Sequence, residues 1–158
     1  MKLLNRFKSK RRTWQRNFQY KDNYIYANNG SCSARMKNLK RDFVTQQNST
    51  SDFNIQLMEN CFERGVKRGI LLMSKLDAEP LHRDENKIKI SGLCFDVELL
   101  QKLLGIGESA DVYESLKYPD KALIFVFPEI EILIMKWQCF IAPESRTCGH
   151  IEFKLEKT

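Results

Sequence analysis

Several things are scarce or missing in this sequence, and each absence removes a class of reading. No run approaches the roughly 18 consecutive apolar residues that a membrane-spanning helix requires. The most apolar stretch, 122–142, is broken by Pro128, Glu129, Glu131 and Lys136, and its composition predicts core strands instead. The cysteines, Cys32, Cys61, Cys94, Cys139 and Cys148, include no CxxC pair, and their odd number cannot close into a complete disulfide set. The first residues lack the long apolar core of a secretory signal. A reducing intracellular compartment, cytoplasmic or similar, is therefore the expected setting, with organelle import as the alternative suggested by the Arg-rich start. Without export, the sequons at Asn29 and Asn48 read as loop composition.

Acids are almost absent from the first quarter of the 158-residue chain. Residues 1–41 hold 12 Lys/Arg and one acid, Asp22, whereas residues 42–158 hold 14 Lys/Arg and 19 acids. The formal net charge of +6 thus describes a basic arm joined to a mildly acidic body. Aliphatic residues are also sparse before residue 50, and a segment so poor in apolar surface does not offset its chain entropy by itself. Residues 1–50 are accordingly read as an N-terminal arm, largely disordered alone, and 51–158 as the folded domain. Leu3, Phe7, Trp14 and Phe18 have a spacing that allows an amphipathic helix against a partner.

Within the body, apolar residues from Phe53 through Leu57, Cys61, Val66, Ile70 and Met73 to Leu76 recur at three- and four-residue steps, which predicts a helix over roughly 52–76. Gly65 and Gly69 weaken it by about 1 kcal/mol each and suit a close approach of another element. Residues 78–86 read as a polar loop, and Ile88 and Ile90 alternate with lysines as in a strand. A second helix, 97–104, has Asp96 as its cap, Phe95 and Leu100 as a hydrophobic staple and Gly105 as its stop. Strands are expected at 112–118, 122–127, 130–141 and 151–156, with a turn at 118–121. The predicted fold class is α+β: two helices on an antiparallel sheet of about five strands, preceded by the basic arm.

The arm carries the strongest functional signal. Lys8, Lys10, Arg11, Arg12, Arg16 and Lys21 are suited to phosphates, while Trp14, Phe18 and Tyr20 offer faces for unpaired bases. The same composition also fits a protein surface, the acidic body included, or an anionic membrane. Elsewhere the signals are blander. Cys148 and His150 are close in sequence, but His82, Cys139, Cys94 and Cys61 complete no regular zinc pattern, so neither a metal nor a cofactor is expected. Leu104-Gly-Ile-Gly107 lacks the lysine of a phosphate loop and is a helix stop. No residue is assigned a catalytic role. Two strongly apolar strands after residue 122 need cover, and Trp137 or Phe140 is a candidate anchor for a protein partner.

The stretch KISGLCFDVELLQKLLGIGESADVYESLKYPDKALIFVF, 89–127, is similar in its cadence of strand, capped helix, strand, Pro-Asp turn and apolar strand to small uncharacterised bacteriophage-encoded proteins. The resemblance implies a viral or prophage origin and assigns no site residue. The expected function is a non-enzymatic nucleic-acid-associated assembly protein whose arm binds DNA or RNA and whose body docks on a protein. The alternative is a small inhibitor or adaptor acting through protein contacts alone.

Overall fold

A computed structural model describes residues 2–8, 18–21, 23–37, 52–78, 87–136 and 151–157. The most apolar part of the chain forms the middle of a large sheet. Strands β8 (Ala122–Val126) and β9 (Ile130–Met135) pair antiparallel as a hairpin, with Val126 opposite Glu131. Nearly every residue in both is buried, because both faces of the sheet are covered; such strands read as continuous apolar runs without alternation. On one side β9 pairs with β3 (Cys32–Lys37), then β2 (Tyr24–Asn28) and β1 (Gln19–Lys21). On the other, β8 pairs with β7 (Ser109–Ser115) and then β4 (Arg64–Leu72). All these pairings are antiparallel. Two strongly apolar strands thus end up as central strands, which removes the edge hazard expected for them.

The predicted fold class is corrected: among the described residues strand far outweighs helix. A seven-stranded sheet is joined by a three-stranded sheet of β5 (Lys87–Ile90), β6 (Leu93–Asp96) and β10 (Ile151–Phe153), in the order β10-β5-β6. The β10–β5 pair is parallel. Four helices among the described residues are short: α1 (Lys2–Asn5), α2 (Asp52–Cys61), α3 (Met73–Ala78) and α4 (Val97–Gln101).

Two elements account for most of the difference. The helix predicted over 52–76 is instead α2, a turn, β4 and α3. Gly69 has φ +144°, outside the helical region, and the β4–β7 register shifts between Arg64 and Lys67 and again between Lys67 and Gly69. Such irregularities break the period-two alternation of a strand, and the apolar spacing then mimics a helix. Val66, counted above on the apolar stripe, is 62% exposed.

The second difference is the expected disorder of residues 1–50, which is corrected for 19–37. Its strands face the core with Ile25, Ala27, Cys32 and Ala34, a modest apolar set that suffices because β9 supplies the neighbour. Asn28-Asn29-Gly30, read as loop punctuation, makes the hairpin turn. Asn29 Oδ1 accepts hydrogen bonds from the Ser31 and Cys32 amides, and Gly30 supplies φ +96°.

One buried cluster joins the inner face of the large sheet (Ile25, Ala34, Val112, Phe125, Ile132, Ile134) to Leu4 and Phe7 beside α1, to Ile88, Ile90 and Phe95 of the small sheet, and to Leu100 and Leu103. The opposite face packs Tyr26, Ala122, Ile124 and Leu133 against Met58 and Phe62 from α2 and its exit turn. The N-cap of α4 is as expected, Asp96 accepting a hydrogen bond from the Glu98 amide, but the helix ends at Gln101, short of the predicted 104, with Lys102 as its C-cap, and Gly105 takes φ +78° three residues later. Arg6 donates to the Leu104 carbonyl at 2.7 Å, while Lys102 donates back to the Arg6 carbonyl at 2.7 Å, so the chain start is fastened to the end of α4. Residue 156 pairs with the outer edge of β4 through two hydrogen bonds to Ile70.

Cys32 and Cys61 are free thiols, whereas Cys94 is disulfide-bonded. Burial pushes the Cys32 thiol up to about 11. A folded-state pKa above the unfolded value, about 8.5, stabilises the fold fully below the unfolded value and loses that contribution as pH rises through about 11. The expected result is a decline in stability over this alkaline window, on the order of 2–3 kcal/mol, that is flatter in Cys32→Ala. Denaturant melts of both proteins at several alkaline pH values check it; parallel pH profiles refute the assignment.

Candidate functional site

The outer face of the large sheet carries a row of polar residues where a packed face would be apolar. Register places Tyr26 on β2 opposite Arg35 on β3, and Arg35 opposite Glu131 on β9. Alternation sends all three side chains to the side covered by α2, beside its end. Glu131 is 8% exposed. Its Oε2 accepts from Arg35 Nε at 2.6 Å, and its Oε1 accepts from Arg64 Nη2 at 2.7 Å, so one carboxylate joins β3, β9 and β4.

Aromatic rings enclose the two guanidiniums. Arg35 lies over the rings of Tyr24 and Phe62, at 4.2 and 4.9 Å from their centroids, and Arg64 lies 4.9 Å from the centroid of Tyr113. Arg35 also donates to Tyr26 Oη at 3.4 Å. Burial alone would lower the Arg35 pKa, but its bonds to Glu131 and Tyr26 outweigh that and hold it above the ordinary arginine value. For Arg64 the hydrogen bond to Glu131 is the main cause of a raised pKa. Both remain cationic at any pH the fold survives.

Beside this network opens a cleft of about 480 Å³, between the β2–β3 end of the sheet and the β8–β9 turn. Tyr24, Arg35, Lys37, Arg64, Pro128 and Glu131 are among its walls. Lys37 is exposed and Tyr24 is half-buried. Further along β4, Lys67 pairs with Asp111 at 3.3 Å and Arg68 pairs with Glu114. Among the described residues no group of three or more His, Cys, Asp or Glu is placed to hold a metal ion. No helix among the described residues is long and apolar enough to cross a membrane.

The basic segment reads differently once its ends are seen. Lys8 Nζ sits 4.6 Å over the ring of Phe18, and Phe18 and Tyr20 are half-buried against the main core. Leu4 and Phe7, just before the segment, are fully buried. Lys21 closes β1. Lys10, Arg11, Arg12, Trp14 and Arg16 lie outside the described residues, as do Trp137, Phe140, His82, Cys139, Cys148 and His150.

Sequence reasoning did not find Tyr24, Arg35, Lys37, Arg64 or Glu131. A signal existed in Glu131, a lone acid inside the run Ile130–Met135, since an acid on a strand buried on both faces requires a cation. No protein-family model matches the chain, and neither a curated protein nor a solved structure is significantly similar to it.

Proposed function

We propose that the chain is a non-enzymatic, nucleic-acid-associated assembly protein whose basic stretch engages the phosphate backbone with little sequence preference. The observation that carries this reading is the segregation of charge, 12 Lys/Arg against one acid in residues 1–41, together with the anchoring of both ends of 9–17. The Lys8–Phe18 contact fixes the residues on either side of the stretch that holds Arg11, Arg12 and Arg16. Trp14 within it offers a face for an unpaired base. Docking of the body on a protein is supported by Val66 and Leu116, 62% and 60% exposed, near the open part of the β4 edge.

The test must keep the whole chain, because Leu4, Phe7 and strands β1–β3 belong to the core and a truncated body would lose them. Binding to labelled DNA and RNA is measured across a salt series for the wild type and for the triple variant Arg11→Ala, Arg12→Ala, Arg16→Ala. Five phosphate contacts give a slope of log affinity against log salt of about −4, and losing three brings it to about −2. A slope that the triple variant leaves unchanged removes this stretch from the interface. Absence of binding by the wild type at low salt leaves the protein-only adaptor as the reading to pursue.

A further inference from the structure

The Glu131 network holds one carboxylate between two guanidiniums, so its local charge does not cancel. Arg35 is committed to Glu131 and Tyr26, whereas Arg64 gives one nitrogen to Glu131, also hydrogen-bonds Tyr113, and keeps 43% of its side chain exposed. Its remaining donors share the cleft with Lys37. Two acids bear on this balance besides Glu131. Glu129 sits exposed at the β8–β9 turn, and Glu59 acts on Tyr26 from α2 without lining the cleft. The walls therefore carry three cations and two acids, one of the acids already engaged by both arginines.

The rest of the lining is aromatic or apolar. One face of the Tyr24 ring is covered by the Arg35 guanidinium, and Pro128 and Val126 contribute apolar surface. A volume of about 480 Å³ is far more than a single oxyanion fills and lies within the usual range for small-molecule sites. Cations with spare donors beside a fixed ring fit a ligand with an anionic group attached to a flat ring system.

We propose that this cleft binds a nucleoside monophosphate unit, its phosphate received by Arg64 and Lys37 and its base lying against Tyr24. The unit comes either as a free nucleotide or as the phosphorylated end of a strand. The strand-end source rests on the nucleic-acid reading above; the free-nucleotide source does not. Arg35 and Glu131 act here as positioning residues: they fix the Arg64 fork and the Tyr24 ring.

Calorimetric titration of the full chain with the four nucleoside 5′-monophosphates, the corresponding nucleosides, inorganic phosphate, and one short oligonucleotide with and without a 5′-phosphate provides the test. Saturable binding of at least one monophosphate is expected, with the matching nucleoside at least about tenfold weaker and inorganic phosphate weaker again. Lys37→Glu, a change at an exposed position outside the ion-pair network, is expected to weaken the monophosphate by about tenfold or more, and Tyr24→Leu to reduce the gap between nucleotide and inorganic phosphate. A preference of the oligonucleotide for its 5′-phosphate, abolished by Lys37→Glu, assigns the strand end; equal binding of both forms leaves the free nucleotide as ligand. No saturable binding of any monophosphate, or binding indifferent to Lys37→Glu, overturns the proposal. The triple variant at Arg11, Arg12 and Arg16 separates the two readings. If it abolishes oligonucleotide binding but leaves the monophosphate bound, the sites are distinct. If the wild type binds monophosphates but no oligonucleotide, the nucleic-acid reading fails alone.

Discussion

Replacing Gly69 with alanine is expected to destabilise the fold by about 3 kcal/mol and to loosen the chain around residue 156. Two costs meet at this position. Its φ of +144° is one that L side chains rarely adopt, and a Cβ built there would lie 2.6 Å from the Glu156 carbonyl oxygen and 2.8 Å from Leu155 Cβ. Both contacts belong to the segment that pairs with β4 through Ile70, at 2.8 and 2.9 Å. An added methyl must therefore either break that pairing or distort the bulged strand. Gly92 provides the comparison, because it also has positive φ, +82°, but a Cβ there meets nothing. Gly92→Ala is expected to cost only the left-handed backbone penalty, about 1 kcal/mol. Urea melts of both variants, with hydrogen exchange at the Ile70 and Glu156 amides, check the pair. Equal losses in the two, or unchanged protection at Ile70 and Glu156, would mean that the close approach at Gly69 carries no energy.

The same glycine shows what was legible in the sequence. Gly65 and Gly69 point to a close approach of another element, and they make one: a Cβ at Gly65 would lie 3.2 Å from the Glu114 carbonyl oxygen. What the spacing hid was the element that carries them. A strand with two register shifts places apolar residues at intervals that a periodicity argument assigns to a helix, and only the partner β7 decides between the two. Local signals were read correctly where the chain itself satisfies them. The Asp96 cap and the turn in which the Lys121 amide donates to the Tyr118 carbonyl depend on neighbours within a few residues.

Residues 19–37 failed for the opposite reason. Their strands owe their burial to β9, about a hundred residues away, and a composition argument weighs a segment as though it were alone. The site was hidden in the same way. Arg35 and Glu131 are 96 positions apart and Arg64 and Glu131 67, so no local pattern announces the network. It becomes visible when β3 and β9 are laid side by side and the two residues prove to be register partners.

The charges at the outer edge of the sheet complement this arrangement. β4 is the last strand of the large sheet, and its bulged half from Arg64 to Arg68 carries three cations tied to acids, Lys67 and Arg68 to the adjacent β7 and Arg64 to β9 further in. Irregular register and charged side chains keep an edge strand from pairing with another chain. The apolar strands β8 and β9 lie inside the sheet, and the edge strand β4 carries the charged residues.

Glu131→Ala is expected to cost about 3 kcal/mol, a large loss for one side chain, because it leaves Arg35 charged and half-buried without its anion. Part of that cost is tempered by solvent at Arg64, whose side chain is 43% exposed. Glu131→Gln should cost roughly half as much, since the amide oxygen still accepts one hydrogen bond while the charge is gone. The decisive comparison removes the partner as well. In Arg35→Met with Glu131→Leu, apolar groups of similar volume replace the pair on a face that already packs Tyr26, Phe62 and Leu133. A double variant of this kind is expected to be markedly more stable than the sum of its two single changes predicts, with a coupling of about 2 kcal/mol. Denaturant midpoints of the wild type, both single variants and the double variant close the cycle. Simple additivity would show that the Arg35–Glu131 contact carries no net energy, and the stability of the outer face would then rest on its aromatic packing. A strong coupling, joined to loss of monophosphate binding in Glu131→Gln, would tie the same carboxylate to both the sheet and the cleft: it holds three strands together and aims the arginine that faces the ligand.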